Sequence, residues 1–161
     1  MLIMFGKLTA EEIESVLHQQ VVGRLGCHAN GMTYVVPISY GYDGEYIYVH
    51  TVEGMKINML RKNPRVCFEV DTMVNMANWK SVIVWGEFEE LTKEPGRQYA
   101  IQKLHERVLP MISSATTKLS SDWPFTPKNT QTITGIVFRI KITEKTGRFE
   151  NNSTPSFLGW G

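Results

Sequence analysis

The sequence is short of several things, and each shortage removes a class of protein. It holds two cysteines, Cys27 and Cys67, in 161 residues. Neither has a CxxC or CxxH neighbour, and two are too few for a disulfide framework. Both lie in apolar runs and read as buried thiols without a redox role. Charge of one sign is also missing. Against 17 Lys plus Arg stand 16 Asp plus Glu, for a formal net charge of +1. No broad basic field is available to hold a nucleic acid or an anionic membrane surface. No run of about 18 apolar residues exists to span a bilayer. Met1 to Lys7 has no charged lead and no long apolar region, so no secretory signal is expected. No GxxxxGK[ST] phosphate loop occurs. His18, His28 and His105 are not at HxxxH spacing, and no metal site is expected. These absences leave a cytoplasmic protein. Its hydrophobic content of 42% is that of a folded domain, and residues 1–161 fit a single one.

What is present reads mainly as strands. Thr9 and Glu12 form a capping box ahead of an amphipathic helix carrying Ile13, Val16 and Leu17. Val21 to Cys27 and Thr33 to Tyr40 are strands joined by a turn at Asn30-Gly31. Asp43-Gly44 marks another turn before a strand over Glu45 to Thr51. There Ile47 and Val49 share one face, and Tyr46, Tyr48 and His50 the other. A helix is predicted over Glu53 to Lys62, stopped by Asn63-Pro64. Arg65 to Asp71 is a strand with Val66, Phe68 and Val70 inward, and Thr72 to Asn78 reads as a loop. In the strand Lys80 to Leu91, Val82 to Trp85 run without polar alternation, so both faces should be covered, one of them by a second subunit. Pro95, Ala100, Ile101, Leu104, Val108 and Ile112 mark a further helix, which Pro110 should kink or end. Ile133 to Thr143 is the last strand, and Gly147 onward reads as a tail. The fold class is mainly β with α: a six-stranded antiparallel split β-barrel of Greek-key type with flanking helices.

The segment His50-Thr51-Val52-Glu53-Gly54-Met55-Lys56 carries the chemistry. A strand ends and a helix begins, leaving backbone N–H groups free for an anion. A lysine in a first helical turn is misplaced against the dipole. Two readings account for Lys56: it grips a phosphate, or it is a solvated lysine partly neutralised by Glu53. His50 is either a hydrogen-bonded, half-buried histidine or a donor beside a ligand. Pro37 inside a strand demands an edge or a bulge. It serves there as a device against aggregation, or it faces a planar heterocycle. Paired acidic residues such as Glu11-Glu12 and Glu89-Glu90 read as solvated surface.

Taken in order, Gly23-Arg24-Leu25-Gly26, Tyr34-Val35-Val36-Pro37-Ile38-Ser39-Tyr40, Tyr46-Ile47-Tyr48-Val49-His50-Thr51, Gly54-Met55-Lys56, Asn63-Pro64-Arg65-Val66-Cys67-Phe68 and Ser81-Val82-Ile83-Val84-Trp85-Gly86 resemble the pyridoxamine 5′-phosphate oxidase-related flavoproteins. The likeness spans roughly residues 8–110 and is greatest to the branch containing the 5-nitroimidazole resistance proteins. It implies a homodimer with FMN at the subunit interface. It implies that Val36, Pro37, Ile38 and Ser39 line the flavin ring, and that His50 and Thr51 lie beside the ring and ribityl chain. Met55 and Lys56 would grip the phosphate. Trp79 and Ser81 would approach from the partner subunit. His50 is the catalytic candidate, as hydrogen-bond donor or proton source. The function implied is an oxidoreductase passing electrons from a reduced nicotinamide to a small planar acceptor such as a nitroaromatic. The alternative is a non-catalytic module for FMN, haem or a deazaflavin coenzyme. Val36-Pro37-Ile38-Ser39 stands where true pyridoxamine phosphate oxidases carry Arg-x-Val-Leu-Leu-Lys, so vitamin B6 oxidation is not expected.

Overall fold

The computed structural model describes residues 3–108 and 134–152. Eight strands and three helices follow in the order β1 (Ile3–Lys7), α1 (Ala10–Gln19), β2 (Val22–Ala29), β3 (Met32–Ser39), β4 (Gly41–Tyr42), β5 (Tyr46–Thr51), α2 (Met55–Lys62), β6 (Arg65–Asn75), β7 (Asn78–Glu90), α3 (Glu94–Val108) and β8 (Ile136–Asn152). Thr9 caps α1, its Oγ1 accepting from the Glu12 N–H at 3.2 Å. Asn30 and Gly31 both take positive φ, as a two-residue hairpin turn requires.

The strands form one antiparallel sheet ordered β3-β2-β6-β7-β8-β5-β4, with β1 also paired to β8. The sheet coils, but β3 and β5 do not pair across the gap, so it is a split barrel rather than a closed one. Pro37 is on β3, the edge of the sheet, where its missing N–H interrupts no inner ladder. The main core gathers Leu25, Phe68, Val70, Val82, Val84, Ile47, Val49, Phe138 and Ile140 from the strands. Val16 and Leu17 of α1, and Ile57 and Leu60 of α2, complete it. On the opposite face of β5, Tyr48 packs with Ala100, Ile101 and Leu104 of α3. Ile47 and Val49 therefore face one way and Tyr48 the other, as the alternation predicts. The last carbonyls of α1 are also served: Leu17 O accepts from Tyr40 Oη at 2.8 Å and Arg107 Nη2 at 3.0 Å.

Several expectations need correction. Among the described residues there are eight strands, not six. Gly147 does not begin a tail: β8 runs on to Asn152, and its residues Arg148–Asn152 pair with Ile3–Lys7. The span 72–78 is not a loop. β6 continues to Asn75 and β7 starts at Asn78, leaving a tight hairpin with a register shift between Met73 and Asn75. Cys27 is buried, but Cys67 is only half-buried, because it points outward from β6. Trp85 is 38% exposed, so the outer face of β7 is not covered within one chain. Pro110, Ile112, Trp123, Phe125, Ile133 and Trp160 lie outside the described residues. Among the described residues, no helix is long and apolar enough to cross a membrane, and no cluster of His, Cys, Asp and Glu could hold a metal.

Candidate functional site

The gap between β3 and β5 is where the predicted residues meet. The end of β3 supplies Pro37, Ile38 and Ser39, and the end of β5 supplies His50 and Thr51. The first turn of α2 supplies Lys56, and Leu104 of α3 forms one wall. Together they line a pocket of about 270 Å³. Six of the residues singled out in the sequence thus share one cavity.

The start of α2 is built for an anion. Its N-cap is Gly54, which offers no side-chain hydrogen bond, and its first turn holds no acidic residue. α1, by contrast, is capped by Thr9 and carries Glu11 and Glu12 in its first turn. The N-terminal dipole of α2 and the Lys56 ammonium therefore act on the same pocket without a carboxylate beside them. Glu53 does not neutralise Lys56. It is turned to Arg61, with Arg61 Nη2 at 2.9 Å from Oε1 and Nη1 at 3.1 Å from Oε2. Among the described residues Lys56 makes no ion pair. Burial pushes the Cys27 thiol up, and the Lys56 charge pulls against that shift.

His50 is oriented by the backbone. Its Nε2 lies 2.8 Å from the carbonyl of Thr134. A carbonyl only accepts, so Nε2 carries the proton in this contact. Gly135 follows at φ +99, a left-handed conformation that side chains resist. A Cβ built there would lie 2.7 Å from Thr51 O and 3.0 Å from His50 Nε2. The carbonyl of Gly135 in turn accepts from Arg97 Nη1 at 3.3 Å. A glycine thus lets the residue 134–135 turn close onto both β5 residues of the pocket.

The other four predicted residues stand apart. Val36 faces inward from β3, opposite Leu25, and packs on the core. Met55 is exposed at the head of α2 and does not line the pocket. Trp79 lies on β7, its Nε1 donating to Glu150 at 2.9 Å, beside a separate cavity shared with Thr72, Val74 and Phe149. The Ser81 hydroxyl donates to Glu69 at 2.9 Å. Neither β7 residue reaches the Lys56 pocket of its own chain. Leu104, Arg61 and Gly135 were missed in the sequence. Leu104 and Gly135 act across a long separation, and no local signal tied any of the three to the site.

A larger groove of about 440 Å³ crosses the outer face of β2, β3, β6 and β7, past Gly26, Val35, Cys67 and Trp85. It is mainly apolar, and the guanidinium of Arg24 at its rim is already held by Asp71 at 3.0 Å. The smaller pocket joins Lys56, which makes no ion pair among the described residues, to the uncapped start of α2.

Comparison with known proteins follows the same outline. Residues 9–149 match the model of the pyridoxamine 5′-phosphate oxidase family. An uncharacterised protein of Rhizobium meliloti is 32% identical over 101 residues, and the match spans 63% of this chain and 63% of that relative's length. The crystal structure of an FAD-binding protein from Mesorhizobium loti superposes with a TM-score of 0.69 at 31% identity, covering 94% of this chain and 100% of that one. A protein described as a 5-nitroimidazole antibiotic resistance protein from Bacteroides thetaiotaomicron superposes at 0.68, with 20% identity over 93% of this chain and 90% of its own. That last likeness speaks for the fold alone.

Proposed function

Because this chain belongs to the pyridoxamine 5′-phosphate oxidase family, we propose that it binds a flavin in the pocket between β3 and β5. The observation that carries this reading is Lys56. Among the described residues it is a lysine without a carboxylate partner, at an uncapped helix start, in a cavity walled by Pro37, Ile38, Ser39, His50 and Thr51. Those residues fit the group. Lys56 and the N–H groups of α2 suit a phosphate. Pro37 and Ile38 offer apolar surface to a planar ring, and Ser39 and Thr51 offer hydroxyls to its polar edge or to the ribityl chain. The FAD-binding protein of Mesorhizobium loti, similar over its whole length, supports a flavin.

The finer reading is FMN as cofactor, in an oxidoreductase that takes electrons from a reduced nicotinamide and passes them to a small planar acceptor such as a nitroaromatic. A bound flavin supplies the electron-carrying ring; the protein supplies position and electrostatics. His50, its ring fixed by the Thr134 carbonyl, is the residue proposed to hold or move a proton at the ring. Pyridoxamine phosphate oxidation is not part of the proposal. The edge strand offers Val36-Pro37-Ile38-Ser39, with no arginine or lysine of its own for a second phosphate.

A homodimer completes the proposal. Trp79 and Ser81 are remote from the pocket of their own chain. They serve the flavin only if Trp79 and Ser81 of the partner subunit reach across. The exposed Val35 and Trp85, and the hairpin tip of Met73, Val74 and Met76, supply apolar surface for that contact.

Absorbance of the purified protein is the first test. Flavin bands support the reading, whereas a Soret band or no chromophore after reconstitution with FMN and FAD overturns it. Bleaching by NADH and recovery with a nitroaromatic separates an enzyme from a carrier. Lys56→Ala should weaken FMN binding by about 1 kcal/mol or more, the scale of a lost charge-assisted hydrogen bond. Riboflavin, which lacks the phosphate, should be unaffected. Equal FMN affinity in that variant removes Lys56 from the site.

A further inference from the structure

The position of Glu53 is unusual for its place in the chain. It immediately precedes the N-cap Gly54 of α2. From there a carboxylate would ordinarily settle over the helix N-terminus, where the dipole favours negative charge. It would then lie beside Lys56 and occupy the same field as a bound anion. Instead it is drawn along the helix to Arg61, which grips both of its oxygens. The same guanidinium holds Glu90 at the end of β7, with Nε at 3.0 Å from Oε2 and Nη2 at 2.7 Å from Oε1. Arg61 thus forks onto two carboxylates at once. Its hydrogen bonds hold the Glu90 carboxyl below the ordinary glutamate range. Glu90 anchors the fork to the sheet, so Arg61 cannot follow Glu53 back toward the pocket without leaving β7.

We propose that Arg61 is a positioning residue that keeps Glu53 off Lys56 and off the start of α2, so that the pocket prefers a phosphorylated flavin to its neutral, unphosphorylated form. This deepens the proposed function and rests on an anion lying at Lys56. Removing Arg61 leaves Glu53 as the nearest carboxylate in sequence to an uncompensated lysine and helix end. The lock therefore acts on the phosphate and not on the ring.

The test titrates FMN and riboflavin against the full chain at low ionic strength, where exposed charges are least screened. The ratio of the two dissociation constants isolates the phosphate. In Arg61→Gln the preference for FMN should fall about threefold or more, the scale of one unit charge brought within several ångströms in a watery setting. Riboflavin affinity should stay within about twofold of the wild type on the same grounds. Adding Glu53→Gln to Arg61→Gln should restore the preference, an outcome that a purely structural staple would not give. Glu53→Gln alone should change little, because Arg61 already answers that charge. The proposal is overturned if Arg61→Gln keeps the wild-type preference, or if the double variant stays as poor as the single one. It is also overturned if Glu53→Gln alone raises the preference severalfold, a result that needs no Arg61 variant to fold. Lys56→Ala separates the two levels. If Lys56→Ala loses the preference and Arg61→Gln does not, the lock fails and the pocket stands. A wild type that binds both flavins equally, unaltered by Lys56→Ala, removes the pocket reading itself.

Discussion

Gly135 shows how much of the pocket depends on a single side chain being absent. Its positive φ and its closeness to Thr51 O and His50 Nε2 leave no room for a methyl group. Gly135→Ala should push the turn off β5 and release the Thr134 carbonyl from His50. Strain at a left-handed position typically costs on the order of 1 kcal/mol or more, so the variant should still fold. The Nε2–H of His50 should then lose its carbonyl partner, which moves its imidazole resonances in NMR, and flavin affinity should drop. Unmoved His50 imidazole resonances would show that Thr134 does not govern the ring. Residues of this kind are hard to find in a sequence. Pro37–Ser39 and His50–Lys56 were legible because they form two short continuous stretches with a proline, a glycine and a misplaced lysine as local signals. Gly135 acts on residues more than eighty positions earlier, and nothing near it in the chain says so.

At the scale of elements, α1 is fastened to the barrel by a charged cluster as well as by its apolar face. Glu14 accepts from Tyr42 Oη at 2.7 Å on one oxygen and is paired with Lys145 on the other. His18 lies one turn along α1, 3.9 Å away. Burial by itself would raise the Glu14 carboxyl; the hydrogen bonds from Lys145 and Tyr42 outweigh it and hold the group below its ordinary value. A carboxyl depressed in the folded state contributes stability above its unfolded pKa of about 4.3 and loses it as pH falls through the lower folded value. Glu14→Gln should therefore be less stable than the wild type at neutral pH, and the two should converge in acid. Urea midpoints measured from pH 7 to pH 3 check this, and parallel curves would refute it. The elements themselves were largely readable. Capping, turn and alternation signals are local, and they located α1, the β2–β3 hairpin and β5 within a few residues. β1 and the far half of β8 were not readable, because each becomes a strand only by pairing with the other.

For the whole molecule, the decisive surface is the outer face of β2, β3, β6 and β7. Val35 and Trp85 border an apolar groove there, and Cys67 opens into it. The unalternated run at Val82 to Trp85 suggested a strand covered on both sides. One chain covers only the Val82 and Val84 side, so the remainder belongs to the proposed homodimer. Trp85→Arg should convert a dimer to a monomer in sedimentation velocity at micromolar concentration while leaving the far-ultraviolet spectrum intact. Flavin affinity should fall with the dimer, since Trp79 and Ser81 could then not be shared. A wild type that sediments as a monomer would end that proposal and leave the Lys56 pocket to be judged alone.

The pairing of β8 also bears on how the chain is made. Residues 136–152 complete the ladders of β1, β5 and β7 together, yet they leave the ribosome after all three. At about 5–20 residues per second, the stretch between the end of β7 and the end of β8 takes seconds to emerge. Throughout that interval the nascent chain holds three strand edges and the apolar faces of Ile47, Val49, Val82 and Val84 without the strand that covers them. Ribosome-bound chains stalled before residue 136 should be protease-sensitive through β5 and β7. Chains stalled far enough beyond residue 152 to clear the exit tunnel should be protected over the same segments, which would make the final strand the step that commits the barrel to its fold.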